Sequence, residues 1–149
     1  MEVKVNSTSG KGIKSLFKRL EKGTVDVGIL ASEGQHKDSD MSVAQIGFFH
    51  EFGTVVTPER SFIRSTINGQ SKEIKKVSQV QYKKVLDESI TTEEGLGVLG
   101  AFTAGLIQEK FTDNDWVPNS EKTQERKGSS TPLIDTGQLR QSISFKVNS

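Results

Sequence analysis

The sequence predicts an α+β fold, a small, mostly antiparallel β-sheet flanked by helices, one of them a long central helix. Three observations point there. Short stretches of alternating apolar residues stand at 1–6, 24–31 and 143–147, near the two ends of the chain. Between them, apolar residues recur at the three-and-four spacing of helices. Phe48, Phe49, Phe52 and Phe62, half of the chain's eight phenylalanines, cluster where two of these helical stretches meet. Rings of that size anchor a core or an interface more readily than they build a catalytic pocket.

Taken in order, MEVKVN at 1–6 places Val3 and Val5 on one side of a short strand. Ser9 to Lys22 reads as a helix with Ile13, Leu16, Phe17 and Leu20 in one stripe, ended by Gly23. Thr24–Ala31 is a second strand, with Val25, Val27 and Ile29 on one face. After the polar loop SEGQHKDSDM, Ser42 is positioned to cap a short helix through Val43, Ala44, Ile46, Phe49 and Phe52. Gly53 suits a helix end with a positive φ, and Pro58 forbids a helical Thr57, so 54–61 is expected to be a sharp exit and a short extended loop. A long helix is expected over Phe62–Ile90, weakened at Gly69, where glycine costs about 1 kcal/mol relative to alanine. Another is expected over Leu96–Phe111 with Leu99, Phe102, Leu106 and Ile107 inward. Its Gly97, Gly100, Ala101, Ala104 and Gly105 would admit a second backbone. Residues 112–131 lose periodicity and read as a long polar loop ordered near Trp116. In PLIDTGQLRQSISFKVNS, Asp135 or Thr136 can cap a short helix holding Gln138–Gln141, and Ile143, Phe145 and Val147 alternate as a final strand.

A chain of 149 residues fits one domain, 1–149, burying roughly 70% of its unfolded surface. With 32% hydrophobic residues and a mean hydropathy of −0.47, its core is modest, a balance met by long loops or by apolar surface completed in another subunit. The absence of cysteine removes disulfides and thiolate metal sites. Neither a signal-peptide core nor a membrane-length apolar run is present, so a soluble protein made in the cytoplasm is expected. The net charge of +1 is banded: +4 over 1–22, −4 over 23–60, +3 over 61–92, −4 over 93–116 and +2 over 117–149. Alternating bands favour complementary contacts within a fold or between copies, whereas a nucleic-acid binder is more often basic along one long face.

No motif argues for an enzyme. GLGVLG at 95–100 has the glycine spacing of a dinucleotide loop, but acidic, polar DESITTEE precedes it instead of a buried strand. SGKGIKS lacks the P-loop spacing. His36 and His50 have no cysteine partners, and HEFGT is not HExxH, so no metal site or cofactor is expected. Asp135, Thr136 and Arg140 fit a capped short helix better than a catalytic set. Glu51, Glu59, Arg60 and Arg64 have the charges to pair around the corner, but read more readily as a solvated rim of weak ion pairs. Lys72, Lys75, Lys76, Lys83 and Lys84 read as a solvated helix face, with nucleic-acid binding over 72–84 as the alternative function.

Two segments carry more. HEFGT followed by TPERSFIRSTI, within Phe49–Ile67, and PLIDTGQLRQSI at Pro132–Ile143 resemble the paired signature of phage virion-morphogenesis and tail-completion proteins, with Trp116-Val117-Pro118, Thr123 and Lys127 in order between them. Glu59 and Ser61 depart from that pattern, which more often has a small residue and a second proline. The resemblance implies an α+β structural virion protein, not an enzyme, that forms a ring at the neck or upper tail of a long-tailed phage and completes the head-tail junction. It would assemble in the host cytoplasm and reside in the virion. Its partners would be copies of itself and other neck, portal-adaptor or tail-tube proteins, with DNA passing nearby but not bound by sequence, and no membrane. Interface positions are expected at Phe48, Phe49, Glu51, Phe52, Arg60, Phe62, Arg64, Trp116, Leu133, Asp135, Leu139 and Arg140.

Overall fold

The structure, a computed structural model, describes residues 14, 15, 18, 23–30, 34, 40–112, 116, 125 and 137–148. Among them the elements run β1 (Thr24–Ile29), α1 (Val43–Phe52), α2 (Phe62–Gly69), α3 (Ser71–Leu86), α4 (Thr92–Lys110), α5 (Gln138–Gln141) and β2 (Ile143–Asn148). The fold is α+β, as expected. β1 and β2 pair antiparallel from Thr24 opposite Asn148 to Ile29 opposite Ile143. The expected strand at 1–6 and most of the expected helix at 9–22 and of the 112–131 loop lie outside the described residues, though Lys14, Ser15 and Lys18 are helical.

α4 is the central element, packed on both strands and against α2 and α3. It begins four residues before the expected Leu96, because Thr91 caps it. Thr91 Oγ1 accepts from the Glu94 amide at 3.1 Å, and the Glu94 carboxylate accepts from the Thr91 amide at 2.8 Å. GLGVLG therefore lies inside a helix and forms no phosphate loop. The buried face of α4 is Gly95, Gly100, Thr103, Ala104 and Ile107, whereas Leu99, Phe102 and Leu106 are half-buried. Thr103 is admitted to this face because its hydroxyl donates to Leu99 O at 2.8 Å. Of the glycines expected to admit a close approach, Gly100 meets the sheet, while Gly95 at the start of α4 packs on Val85 of α3. A Cβ on Gly100 would stand 2.5 Å from the Phe145 ring and 2.7 Å from Val25, while Gly97 and Gly105 face open space.

The expected helix over 62–90 is two helices. Glycine at 69 removes the helical preference, Gln70 leaves helical geometry at φ −102° and ψ 13°, and α3 restarts at Ser71. α3 stops at Leu86, and Glu88 then takes a positive φ of 56°. Ser42 caps α1 as expected, sharing a reciprocal pair of bonds with Gln45. At α5 the N-cap position is Gly137, at φ 69°, without a side-chain cap; Asp135 and Thr136 lie outside the described residues.

The core unites Val43 of α1, Phe62 of α2, Ala104 and Ile107 of α4, Phe111, Leu139 of α5 and Ile143 of β2. Val27, Ile29, Ile63 and Trp116 pack against it. Phe62 and Phe111 meet with ring centroids 4.8 Å apart, and Gln108 Nε2 donates to Ile143 O at 3.0 Å, tying α4 to β2. The two segments that carry the sequence resemblance thus contribute to one core.

Candidate functional site

The α1–α2 corner is built around one carboxylate. α1 ends at Phe52, and Gly53, at φ 72°, turns the chain so tightly that an added Cβ would sit 3.0 Å from the Glu59 amide. Glu51 in the last turn of α1 then faces the start of α2. Its Oε2 accepts from the Ile63 amide at 2.8 Å, and its Oε1 accepts from the Arg64 amide and from Ser61 Oγ, both at 2.9 Å. Ser61, the N-cap residue of α2, makes no side-chain cap of its own, so a residue ten positions away satisfies the helix amides. Arg64 closes the cluster, donating Nε to Glu51 Oε1 at 3.1 Å, and Nη2 both to Glu51 O at 2.9 Å and to Glu59 Oε1 at 2.7 Å.

The expected solvated rim is therefore only half right. The Glu51 side chain is 5% exposed, against 48% for Arg64 and 57% for Glu59. Glu51 is an internal clamp, and Glu59–Arg64 is the exposed pair. Arg60 is also buried; its amide donates to His50 O at 2.7 Å, and its guanidinium lies 3.3 Å from His50 Nδ1. A guanidinium accepts nothing, so this bond requires Nδ1 to be the unprotonated ring nitrogen. Burial pushes the Arg60 guanidinium down from its ordinary value, while it remains charged.

The outer side of the corner is apolar. Phe48 is 57% and Phe52 50% exposed, their ring centroids 4.7 Å apart, and the Arg64 guanidinium lies 4.6 Å from the centre of the Phe52 ring. Phe49 is half-buried and meets Phe48 edge-on at 6.2 Å. Beyond them, Thr54 organises a tight turn. Its amide donates to Thr57 O at 2.8 Å, and its hydroxyl accepts from the Val56 and Thr57 amides at 3.2 and 2.9 Å. This turn holds Val55 and Val56 out at 104% and 89% exposure.

The twelve expected interface positions thus divide. Phe48, Phe52, Arg64 and Arg140 face solvent, Phe49 is half-buried, and Glu51, Arg60, Phe62 and Leu139 are buried within the chain. Trp116 is half-buried, its Nε1 donating to Lys110 O at 3.3 Å, with Lys110 Nζ 5.3 Å from the ring centre. Leu133 and Asp135 lie outside the described residues. Val55 and Val56 were missed by reasoning from sequence. The available signal was a pair of β-branched apolar residues between Thr54 and Thr57-Pro58, where turn chemistry favours polar side chains.

Among the described residues no group of three or more His, Asp or Glu is placed to hold a metal ion, and no helix is long and apolar enough to cross a membrane. The lysines of α3, Lys72, Lys75, Lys76, Lys83 and Lys84, are all exposed, with one long contact of 3.9 Å from Lys76 to Glu73. No family model, curated protein or solved structure matches the chain.

Proposed function

We propose that this chain is a structural virion protein of a long-tailed phage or prophage, acting in tail completion or head-tail joining as a subunit of a ring at the neck or upper tail. The observation that carries the reading is the pairing of HEFGT–TPERSFIRSTI with PLIDTGQLRQSI in one sequence. The packing supports it: Phe62 of the first segment and Leu139 and Ile143 of the second share a single core, so the two segments act as one structural unit. The chemistry of the corner also suits a scaffold. Its ionic groups are bonded to helix amides and to one another, and its aromatic groups face outward, an arrangement for presenting a surface rather than transforming a substrate.

The mechanism is geometric. Each subunit presents apolar surface that is covered only in a closed ring, so growth stops at a fixed number of copies. Electron microscopy of the purified protein, alone and mixed with neck, portal-adaptor or tail-tube components, tests the reading. Rings or defined complexes are expected; persistent monomers in both samples count against it.

One observation favours a second reading, nucleic-acid binding on α3, whose five lysines are exposed with Tyr82 44% exposed beside them. A phosphate-binding face must lose affinity steeply as salt rises. Absence of duplex binding at low salt removes this alternative.

A further inference from the structure

We propose that the solvent side of α3 binds the phosphate backbone of duplex DNA without reading its sequence, through Lys72, Lys76 and Lys83. The inference rests on the nucleic-acid reading above and is independent of the ring. With Gln79, the three lysines stand at i, i+4, i+7 and i+11, a row that runs along one side of an α-helix. All four residues are exposed, while Gln81 and Val85 on the opposite side are buried. At a rise of about 1.5 Å per residue the row extends over about 16 Å, along which one strand of a duplex presents about five phosphates.

The positive charge of this side is left available. The one acid of α3 is Glu73, whose carboxylate lies 3.9 Å from Lys76. Among the described residues, Lys72, Lys75, Lys83 and Lys84 make no ion pair. The row is carried on a packed helix, because α3 lies along α4 with Val85 and Gln81 close against Gly95. A polyanion therefore meets cations already set in line, and their binding releases its condensed counterions.

The side chains select the partner. α3 has no arginine, and lysine is a point charge without the planar fork that reads guanine, so the row meets phosphates and not base edges. No aromatic ring lies in the row. Tyr82 stands about a quarter-turn to one side, so unpaired bases find no stacking platform in line with the charges, which favours duplex over single strand. An anionic bilayer suits α3 less well. A helix that lies on a membrane inserts its apolar stripe, whereas the stripe of α3 is covered by α4.

Fluorescence anisotropy of the full chain with two short duplexes of unrelated sequence and with one separated strand tests the proposal, with flotation on phosphatidylserine vesicles as a second arm. The parent is compared with K72E/K76E/K83E and with K14E/K18E/K146E, which reverses as many exposed lysines outside α3. Both duplexes are expected to bind the parent alike and the single strand more weakly. Affinity for duplex is expected to fall about fortyfold between about 50 and 200 mM salt, as about three phosphate contacts require. K72E/K76E/K83E weakens duplex binding at low salt at least about a hundredfold and flattens the salt slope by about three, while the control variant keeps most of that slope. Circular dichroism and melting temperature of K72E/K76E/K83E match the parent, because the replaced side chains are exposed. A parent that binds no duplex overturns the proposal and removes the nucleic-acid reading with it. Equal losses in the two variants overturn the row and leave that reading standing on net charge alone. Tighter binding to the single strand, or to one duplex over the other, overturns the sequence-blind duplex surface. Vesicle binding that K72E/K76E/K83E loses, without DNA binding, overturns it too and assigns the face to lipid.

Discussion

At the scale of single residues, Glu51 is the most consequential side chain of the corner. Truncation to alanine would strip the Ile63 and Arg64 amides, the Ser61 hydroxyl and the Arg64 guanidinium of their shared acceptor in a buried place. Glu51→Ala is expected to destabilise the fold by about 2–4 kcal/mol, read from chemical denaturation, whereas Glu59→Gln at the exposed end changes it by less than about 1 kcal/mol. Equal effects would show that Glu51 is no clamp. Glu94 makes a second prediction. Bonds from the Thr91 amide and hydroxyl hold its carboxyl below the usual carboxylate range. Its charge therefore persists longer in the folded chain than in the unfolded one, and its contribution is present above the unfolded pKa and lost as pH falls through the folded value. Glu94→Gln should flatten the acid side of the stability profile in thermal melts and leave the neutral side nearly parallel to the parent.

At the scale of elements, the glycines of α4 separate two roles that look alike in sequence. Gly100→Ala would drive a methyl into Phe145 and Val25 and is expected to destabilise by about 1–3 kcal/mol, while Gly97→Ala and Gly105→Ala, facing open space, should stabilise by up to about 1 kcal/mol. Thermal melts of the three variants check the sign of each. A uniform response would mean that α4 does not meet the sheet at Gly100. Periodicity identified the α1 and α4 regions and the strands at 24–29 and 143–148, while capping and glycine chemistry identified the Ser42 cap, the positive φ of Gly53 and the weak point at Gly69. It misplaced the start of α4, although Thr91 and Glu94 spell a capping box that was legible in TTEE. Helical spacing set Phe49 and Phe52 among the apolar residues of α1 but could not say which of them the rest of the chain covers: Phe49 is half-buried and Phe52 exposed.

At the scale of the molecule, the proposed ring would cover the outward aromatic corner and set the charge bands of neighbouring copies against one another. Self-association driven by the apolar corner should survive high salt, because burial of apolar surface is not screened, whereas association through the charge bands weakens as ionic strength rises. Sedimentation in low and high salt separates the two, and loss of mass at high salt would assign the contact to the bands instead.

The sequence alone determined the fold class, most element positions and the paired segments on which the functional reading rests, because propensity, capping and turn chemistry are local and act through near neighbours. Only the tertiary structure decided what each corner residue does. Glu51 became a buried clamp because α2 starts within reach of its carboxylate, and Phe62 became core because Phe111 and the sheet cover it. Val55 and Val56 stayed exposed because Thr54 holds their turn away from the body. Such assignments depend on residues distant in sequence meeting in space, and no pattern within one segment carries that information.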